Sequence, residues 1–410
     1  MQTFDQKLEK YAELAVKIGV NIQKDQDLVV SAPIAAVDFV RKVTKEAYQS
    51  GAKQVYFRWS DDELTLTRFQ YAPDEAFKEY PTWEAEGLEQ LAKEGAAFLD
   101  IRTPNLDLLN GIDPEKISMD NKTASKALEP YKEYRMADRV SWSIVAVPSE
   151  EWAKKLFPDL ETDAAVTELW NTIFKMTRVD REDPIASWEE HQQQLTEKGN
   201  YMNNKKFKQL HYRAPGTDLT IELPKDHVWA GGAAEDASGT SFIPNIPTEE
   251  IFTLPLKTGV NGTVTSTKPL NYSGTLIENL SLTFEDGRIV DFNADQGYET
   301  LKRLIETDEG SHYLGEVALV PHNSPISQSG LIFFNTLFDE NASCHLAIGK
   351  AYPKCLENGA DLSREALEQH GVNNSLVHVD FMIGSDELDI DGITHDDDEE
   401  PIFRHGLWAF

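Results

Sequence analysis

The sequence predicts an α/β N-terminal domain followed by an α+β, strand-rich C-terminal domain. Three observations carry this. Short apolar strands alternate with helical segments from residue 27 to residue 156, the pattern of a parallel sheet covered by helices. Near residue 210 the texture changes to strands separated by turn residues. At 410 residues the chain is long enough for two domains, placed here at 1–210 and 211–410.

The first helix has a clear start. Thr3 is an N-cap and Gln6 completes a capping box. Leu8, Tyr11, Ala12, Ala15 and Ile18 form one apolar face, and Gly19 ends it. Strands are expected at Asp27–Ser31, Lys53–Trp59, Ala96–Ile101 and Val140–Val147, with helices at Val37–Gln49 and Ser149–Leu156. Residues 163–209 read as two helices, rich in charge and aromatics, that connect the halves. Beyond them, Leu219–Leu223, Gly262–Thr267 and Leu280–Phe284 are strand-like, and Glu285–Arg288 suits a hairpin turn. The acidic run Asp386–Glu400 reads as a solvated loop. Its Asp389-Ile390-Asp391-Gly392 is similar to part of a calcium loop but lacks the later glutamate.

Composition narrows the function. The formal net charge of -31 repels nucleic acid and anionic membranes, so neither is an expected partner. There is no apolar stretch of membrane-spanning length and no cationic, apolar leader pattern at Met1–Leu8. The two cysteines, Cys344 and Cys355, suit a reducing cytoplasm, and Cys344 reads as a small buried residue more readily than as a metal ligand. GxGxxG after the first strand, GxxxxGK[ST], HExxH and GxSxG are all missing, which argues against nucleotide-loop, thermolysin-type and serine-elbow chemistry.

The chemistry gathers between residues 240 and 385. In Leu376–Ile383, a strand, His378 and Asp380 are two apart and share a face. An imidazole and a carboxylate side by side among apolar residues suit a buried divalent metal. Glu249 and Glu250, then Glu316, then Glu340 and His345, then Tyr352 complete the set. Taken singly, each has a structural explanation: a surface carboxylate, a loop residue, a core aromatic. Together, two histidines and several carboxylates without a cysteine cluster suggest a two-metal site.

The segments Pro247–Thr253, Gly315–Val320, Asn341–Gly349 and His378–Gly384, in this order and spacing, resemble the aminopeptidase T / aminopeptidase S / PepS family of dinuclear metallo-aminopeptidases. The N-terminal amphipathic helix and Leu407-Trp408 are similar as well, so the resemblance covers the whole chain. It implies a cytoplasmic homodimer acting on short peptides, with 211–410 as the catalytic metal-binding domain. It further implies two divalent ions per subunit (zinc, cobalt or manganese) on Glu250, Glu316, Glu340, His345, His378 and Asp380, with Tyr352 nearby.

On those expectations, Glu316 or Asp380 is the candidate for a carboxylate shared by the ions. Such ions would supply an activated water for attack on the first peptide carbonyl and a site for the free α-amine. Tyr352 would donate a hydrogen bond to the oxyanion. Glu249 is the candidate general base, although an extended backbone would turn it away from Glu250. Two other readings stand beside this one: another dinuclear metal amidase or hydrolase, and a non-enzymatic acidic dimeric metal-binding protein.

Overall fold

The computed structural model describes residues 2–105, 107–272 and 275–410; Met1, where the N-terminal segment discussed above begins, lies outside them. The chain forms two compact units. One comprises Met1–His191 and Ala233–Pro247, the other Gln192–Gly232 and Thr248–Phe410. The units therefore interleave in sequence, an excursion that a single boundary at residue 210 does not describe. The change of texture near residue 210 marks where the antiparallel strands begin.

In the first unit, α1 (Phe4–Leu14) starts at the capping box. The Thr3 hydroxyl accepts from the Gln6 amide at 3.2 Å and the Gln6 side chain accepts from the Thr3 amide at 2.9 Å. Beyond Leu14 the chain continues as a wider π turn over Ala15–Gly19. A four-stranded parallel sheet follows, made of β1 (Leu28–Pro33), β2 (Val55–Ser60), β3 (Ala97–Arg102) and β4 (Trp142–Ala146), in the order β2-β1-β3-β4. Leu28, Val29 and Val30 are all buried, as expected of a central strand with both faces covered. Connections leave β1 in both directions, so the topological switch lies between β1 and β3. At its carboxyl end Ser31 pairs in register with Asp100, and the Arg135 guanidinium meets the Asp100 carboxylate at 2.9 Å.

The second unit is antiparallel. Its larger sheet has eight strands, ordered Arg288–Asn293, Ser281–Glu285, Val260–Thr265, Thr217–Glu222, Gln209–Ala214, Asp389–Ile393, Glu399–Arg404 and Leu407–Trp408. The turn between Glu285 and Arg288 is the hairpin that the sequence predicts. The acidic run is not a solvated loop, because the strand Asp389–Ile393 lies in it and the strand Glu399–Arg404 begins at its end. Leu388, Ile390, Ile402 and Phe403 point into the core, and the fully buried Asp391 carboxylate is held by Arg213 and Arg404. Paired guanidiniums remove the cost that would otherwise keep such a charge in water.

The smaller sheet carries most of the candidate metal ligands. It is ordered His378–Met382, His345–Gly349, Leu314–Leu319, Ile251–Thr253 and Ala230–Gly231, with every neighbour antiparallel. No described helix is long and apolar enough to cross a membrane.

Candidate metal centre

Register brings the candidate ligands together. Residues directly opposite across antiparallel strands share a face, as do residues two apart on one strand. Glu316 lies opposite Ala347, and Ala347 opposite Asp380. His345 is two residues before Ala347 and His378 two before Asp380. Glu316, His345, His378 and Asp380 therefore project from one face, with Ala347 and Ala318 leaving room between them. The alternate residues Val317, Leu346, Ile348 and Phe381 fill the core on the other face. Glu250 precedes the Ile251–Thr253 strand by one residue and joins the same group.

Two clusters result, and they share one carboxylate. Glu250, Glu316 and His345 form the first; Glu316, His378 and Asp380 form the second. His345 Nε2 is 3.3 Å from Glu250 Oε2 and 3.5 Å from Glu316 Oε1. His378 Nε2 is 3.5 Å from Glu316 Oε2 and 3.4 Å from Asp380 Oδ1. The two oxygens of Glu316 thus face different imidazoles.

The donor set fits divalent cations. His345 Nδ1 lies 3.1 Å from the Ser343 carbonyl and His378 Nδ1 lies 2.7 Å from the Lys350 carbonyl. A Nδ1–H donated to each carbonyl leaves Nε2 as a lone pair aimed at the carboxylates, the usual support of a metal-binding histidine. Glu250 Oε2, Glu316 Oε2 and Asp380 Oδ1 are buried without a hydrogen-bond donor among the described residues. Buried carboxylate oxygens lacking donors are costly, and a cation removes that cost.

The remaining predicted residues stand around these clusters. The Tyr352 ring is 4.7 Å from the His378 ring and 6.1 Å from Phe252. Glu340, at the start of the turn Glu340–Ala342, is close enough for its charge to act on its neighbours, yet it lies outside both three-residue clusters. Glu249 is buried, and its amide donates to Asn341 Oδ1 at 2.7 Å; it too is outside the clusters. Cys344 faces the core, where its thiol donates to the Val320 carbonyl at 3.3 Å. Asn341 was not singled out from the sequence. It ties Glu249 to the Leu337 carbonyl (3.2 Å) and to Glu340 Oε1 (3.4 Å), fixing two acidic residues at once. Its position beside Glu340, inside a matched motif, was the available signal.

Comparison with known proteins settles the family. The family model described as "Thermophilic metalloprotease (M29)" matches residues 4–408. The chain belongs to this family. It is 58% identical over 410 residues to Aminopeptidase 2 of Geobacillus stearothermophilus, covering 100% of this chain and 99% of that one. It is 55% identical over 410 residues to Aminopeptidase AmpS of Bacillus subtilis, with 100% of both covered. The solved structure of wild-type AmpT from Thermus thermophilus is similar at a TM-score of 0.94 and 43% identity, with 100% of each chain covered.

In this M29 metalloprotease the electrostatics follow from crowding acids in a dry site. Burial, reinforced by Glu316 and Asp380, pushes the Glu250 carboxyl up to about 8. Burial and the neighbouring carboxylates Glu250 and Asp380 also hold Glu340 well above the usual range. Burial alone would lower both histidines, but the surrounding carboxylates prevail, raising His345 to about 10 and His378 to about 9. Asp380 goes the other way: burial raises it, yet the His378 imidazole beside it brings it below the ordinary value. Burial and the same carboxylates hold the Tyr352 hydroxyl in its protonated, donating form. Without a cation the centre therefore retains protons, and a divalent ion can replace them.

Proposed function

We propose that this chain is a metal-dependent aminopeptidase that removes N-terminal residues from short peptides. The observation that carries the reading is the Glu316 carboxylate shared between two ligand clusters in a chain of the M29 metalloprotease family. The names of its relatives, Aminopeptidase 2 and Aminopeptidase AmpS, support the same activity. The family also weighs against a phosphoesterase, a non-peptide amidase and a non-enzymatic scaffold.

Two divalent ions per chain are proposed, with zinc, cobalt or manganese all suited to mixed imidazole and carboxylate donors. Glu250, Glu316 and His345 would hold one, and Glu316, His378 and Asp380 the other, with Glu340 completing the set. When bound, such ions act as Lewis acids and lower the pKa of a shared water. The protein's own part is positioning. Ser343 and Lys350 carbonyls fix the two imidazoles. Tyr352, protonated and beside His378, is placed to donate to a developing oxyanion. Glu249, buried next to Glu250 with its backbone anchored by Asn341, is the proposed general base.

A homodimer is proposed from the family resemblance. A cytoplasmic location is supported by two buried cysteines, Cys344 and Cys355, that are not joined in a disulfide. The test of the activity is mass spectrometry of a short peptide incubated with the chain as purified, after chelation, and after metal is restored. Stepwise loss of N-terminal residues, abolished by chelator and recovered with metal, is the expected result. Internal cleavage, or shortening that persists through chelation, would reject it.

A further inference from the structure

A lysine beside the ligand strands is used by none of the chemistry above. Lys268 is half-buried, between Ser266 and Leu270, both buried. Among the described residues it makes no hydrogen bond or ion pair, and Asp339 is the only charged group acting on it. Asp339 is already engaged: its two oxygens accept from the amides of Phe333 (2.7 Å) and Asn335 (2.9 Å). In a chain with 70 acidic residues, an ammonium withdrawn from water without an ion pair is out of the ordinary. Burial alone costs it stability and lowers its pKa. Such a group outside the structural ion pairs is a functional candidate.

Its placement relates it to the centre. The Thr267 amide donates to the Met382 carbonyl at 2.8 Å and the Thr267 hydroxyl to the Gly384 carbonyl at 2.8 Å. Met382 ends the strand that carries His378 and Asp380. The short strand Leu270–Tyr272, just after Lys268, packs on that same strand, as does the turn Glu340–Ala342. Asp339, whose charge acts on Lys268, immediately precedes Glu340. Lys268 thus lies between Thr267, which is bonded to the end of the His378–Met382 strand, and Leu270, whose strand packs on it.

Charge balance leaves this lysine available. Resting on the two-ion reading above, the carboxylates of Glu250, Glu316, Glu340 and Asp380 neutralise two divalent cations. Those four carboxylates are then matched by the cations and do not call for an ammonium as well. The anion that an aminopeptidase's substrate brings is its own C-terminal carboxylate. A peptide held at its α-amine by the centre carries that carboxylate roughly 3.5 Å further away with each residue. We propose that Lys268 binds the C-terminal carboxylate of a di- or tripeptide substrate and so gives the enzyme its preference for short free peptides.

The test compares peptides Leu-Gly, Leu-Gly-Gly and Leu-Gly-Gly-Gly, each as the free acid and as the C-terminal amide, on the metal-loaded wild type and on Lys268→Met and Lys268→Arg. A charge-assisted contact predicts that wild type favours the free acid by about tenfold or more in kcat/KM, through KM, at one preferred length. Lys268→Met brings the acid-to-amide ratio close to 1, and Lys268→Arg keeps most of it. An amidated peptide ending in Glu separates a general attraction for carboxylates from recognition of the terminus, and it should not regain the preference. A wild-type ratio near 1 at every length overturns the proposal, as does a Lys268→Met protein that keeps the ratio. The wild-type ratio decides by itself if Lys268→Met fails to fold. Absence of hydrolysis of either form by wild type would instead overturn the underlying activity, and the proposal with it.

Discussion

Glu316 Oε2 lies 3.5 Å from His378 Nε2, and both side chains rise from the same face of the small antiparallel sheet. The other oxygen of that carboxylate faces His345 at 3.5 Å. One side chain therefore belongs to two ligand clusters, while Glu250 and Asp380 each belong to one. Substitution should separate the two cases. Glu316→Gln is expected to lower bound metal at both positions, whereas Asp380→Asn spares the Glu250–His345 side. Loss of a single outer partner of a metal ligand costs roughly 10–100-fold in affinity, so removal of a shared ligand should exceed about 100-fold. Metal per chain after dialysis, measured by elemental analysis, reads the difference. Equal metal loss in both variants would remove the shared role of Glu316.

The pH dependence has a definite sign. Without metal, the folded chain holds protons at His345 (about 10), His378 (about 9) and Glu250 (about 8), all above their unfolded values. The folded state then binds more protons than the unfolded one, so these groups stabilise the metal-free fold at low pH. That contribution falls as pH rises from near 4.5 through 10. Asp380, whose value is lowered, acts oppositely, and its contribution is lost only as pH falls below the ordinary aspartate range. Cation binding displaces the same protons and therefore strengthens with pH. Thermal unfolding with and without metal between pH 6 and 9 should show a Tm gap that widens as pH rises. A constant gap would contradict the protonation scheme.

Gly349 ends the His345 strand opposite His378, with φ at +108°. A Cβ there would lie 2.2 Å from the Val377 carbonyl oxygen. Gly349→Ala should cost roughly 1–3 kcal/mol from backbone strain alone and displace the carbonyl neighbourhood that orients His378. Chemical denaturation reads the first effect and metal affinity the second. A variant as stable as wild type would show that the strand relaxes freely there.

Asp100 and Arg135 make the corresponding test of the first unit. Burial raises the Asp100 carboxyl, but Arg135 and Arg102 outweigh it and hold it below the ordinary value. Asp100→Ala leaves a largely buried guanidinium without its partner, a change that costs about 3–5 kcal/mol. The expected result is a lowered unfolding midpoint. An unchanged midpoint would mean that Arg135 escapes to water.

Much of the site was legible because it is local. His378 and Asp380 needed only the period of a strand, and the Thr3–Gln6 capping box only a spacing of three. The juxtaposition of Glu316 with Asp380 was not legible in that way. It depends on the register of two strand pairs through Ala347, and only the ordered motifs and their family resemblance linked those residues. The run Asp386–Glu400 shows the opposite failure. Its acidity masked Leu388 and Ile390, and the arginine that neutralises Asp391 from the other side, Arg213, is far away in sequence. Local charge could not reveal a partner supplied by a neighbouring strand. Asn341 was overlooked for a related reason, since a buried amide shows its role only through the backbone it braces.

The most direct test of the central claim is a pair of rates on one metal-loaded sample: hydrolysis of leucine p-nitroanilide and of its N-acetylated form. A metal-dependent aminopeptidase predicts release from the free amine, loss on chelation, recovery with zinc, cobalt or manganese, and no release from the acetylated compound. Equal hydrolysis of both, or hydrolysis of the free amine that survives complete metal removal, would contradict it.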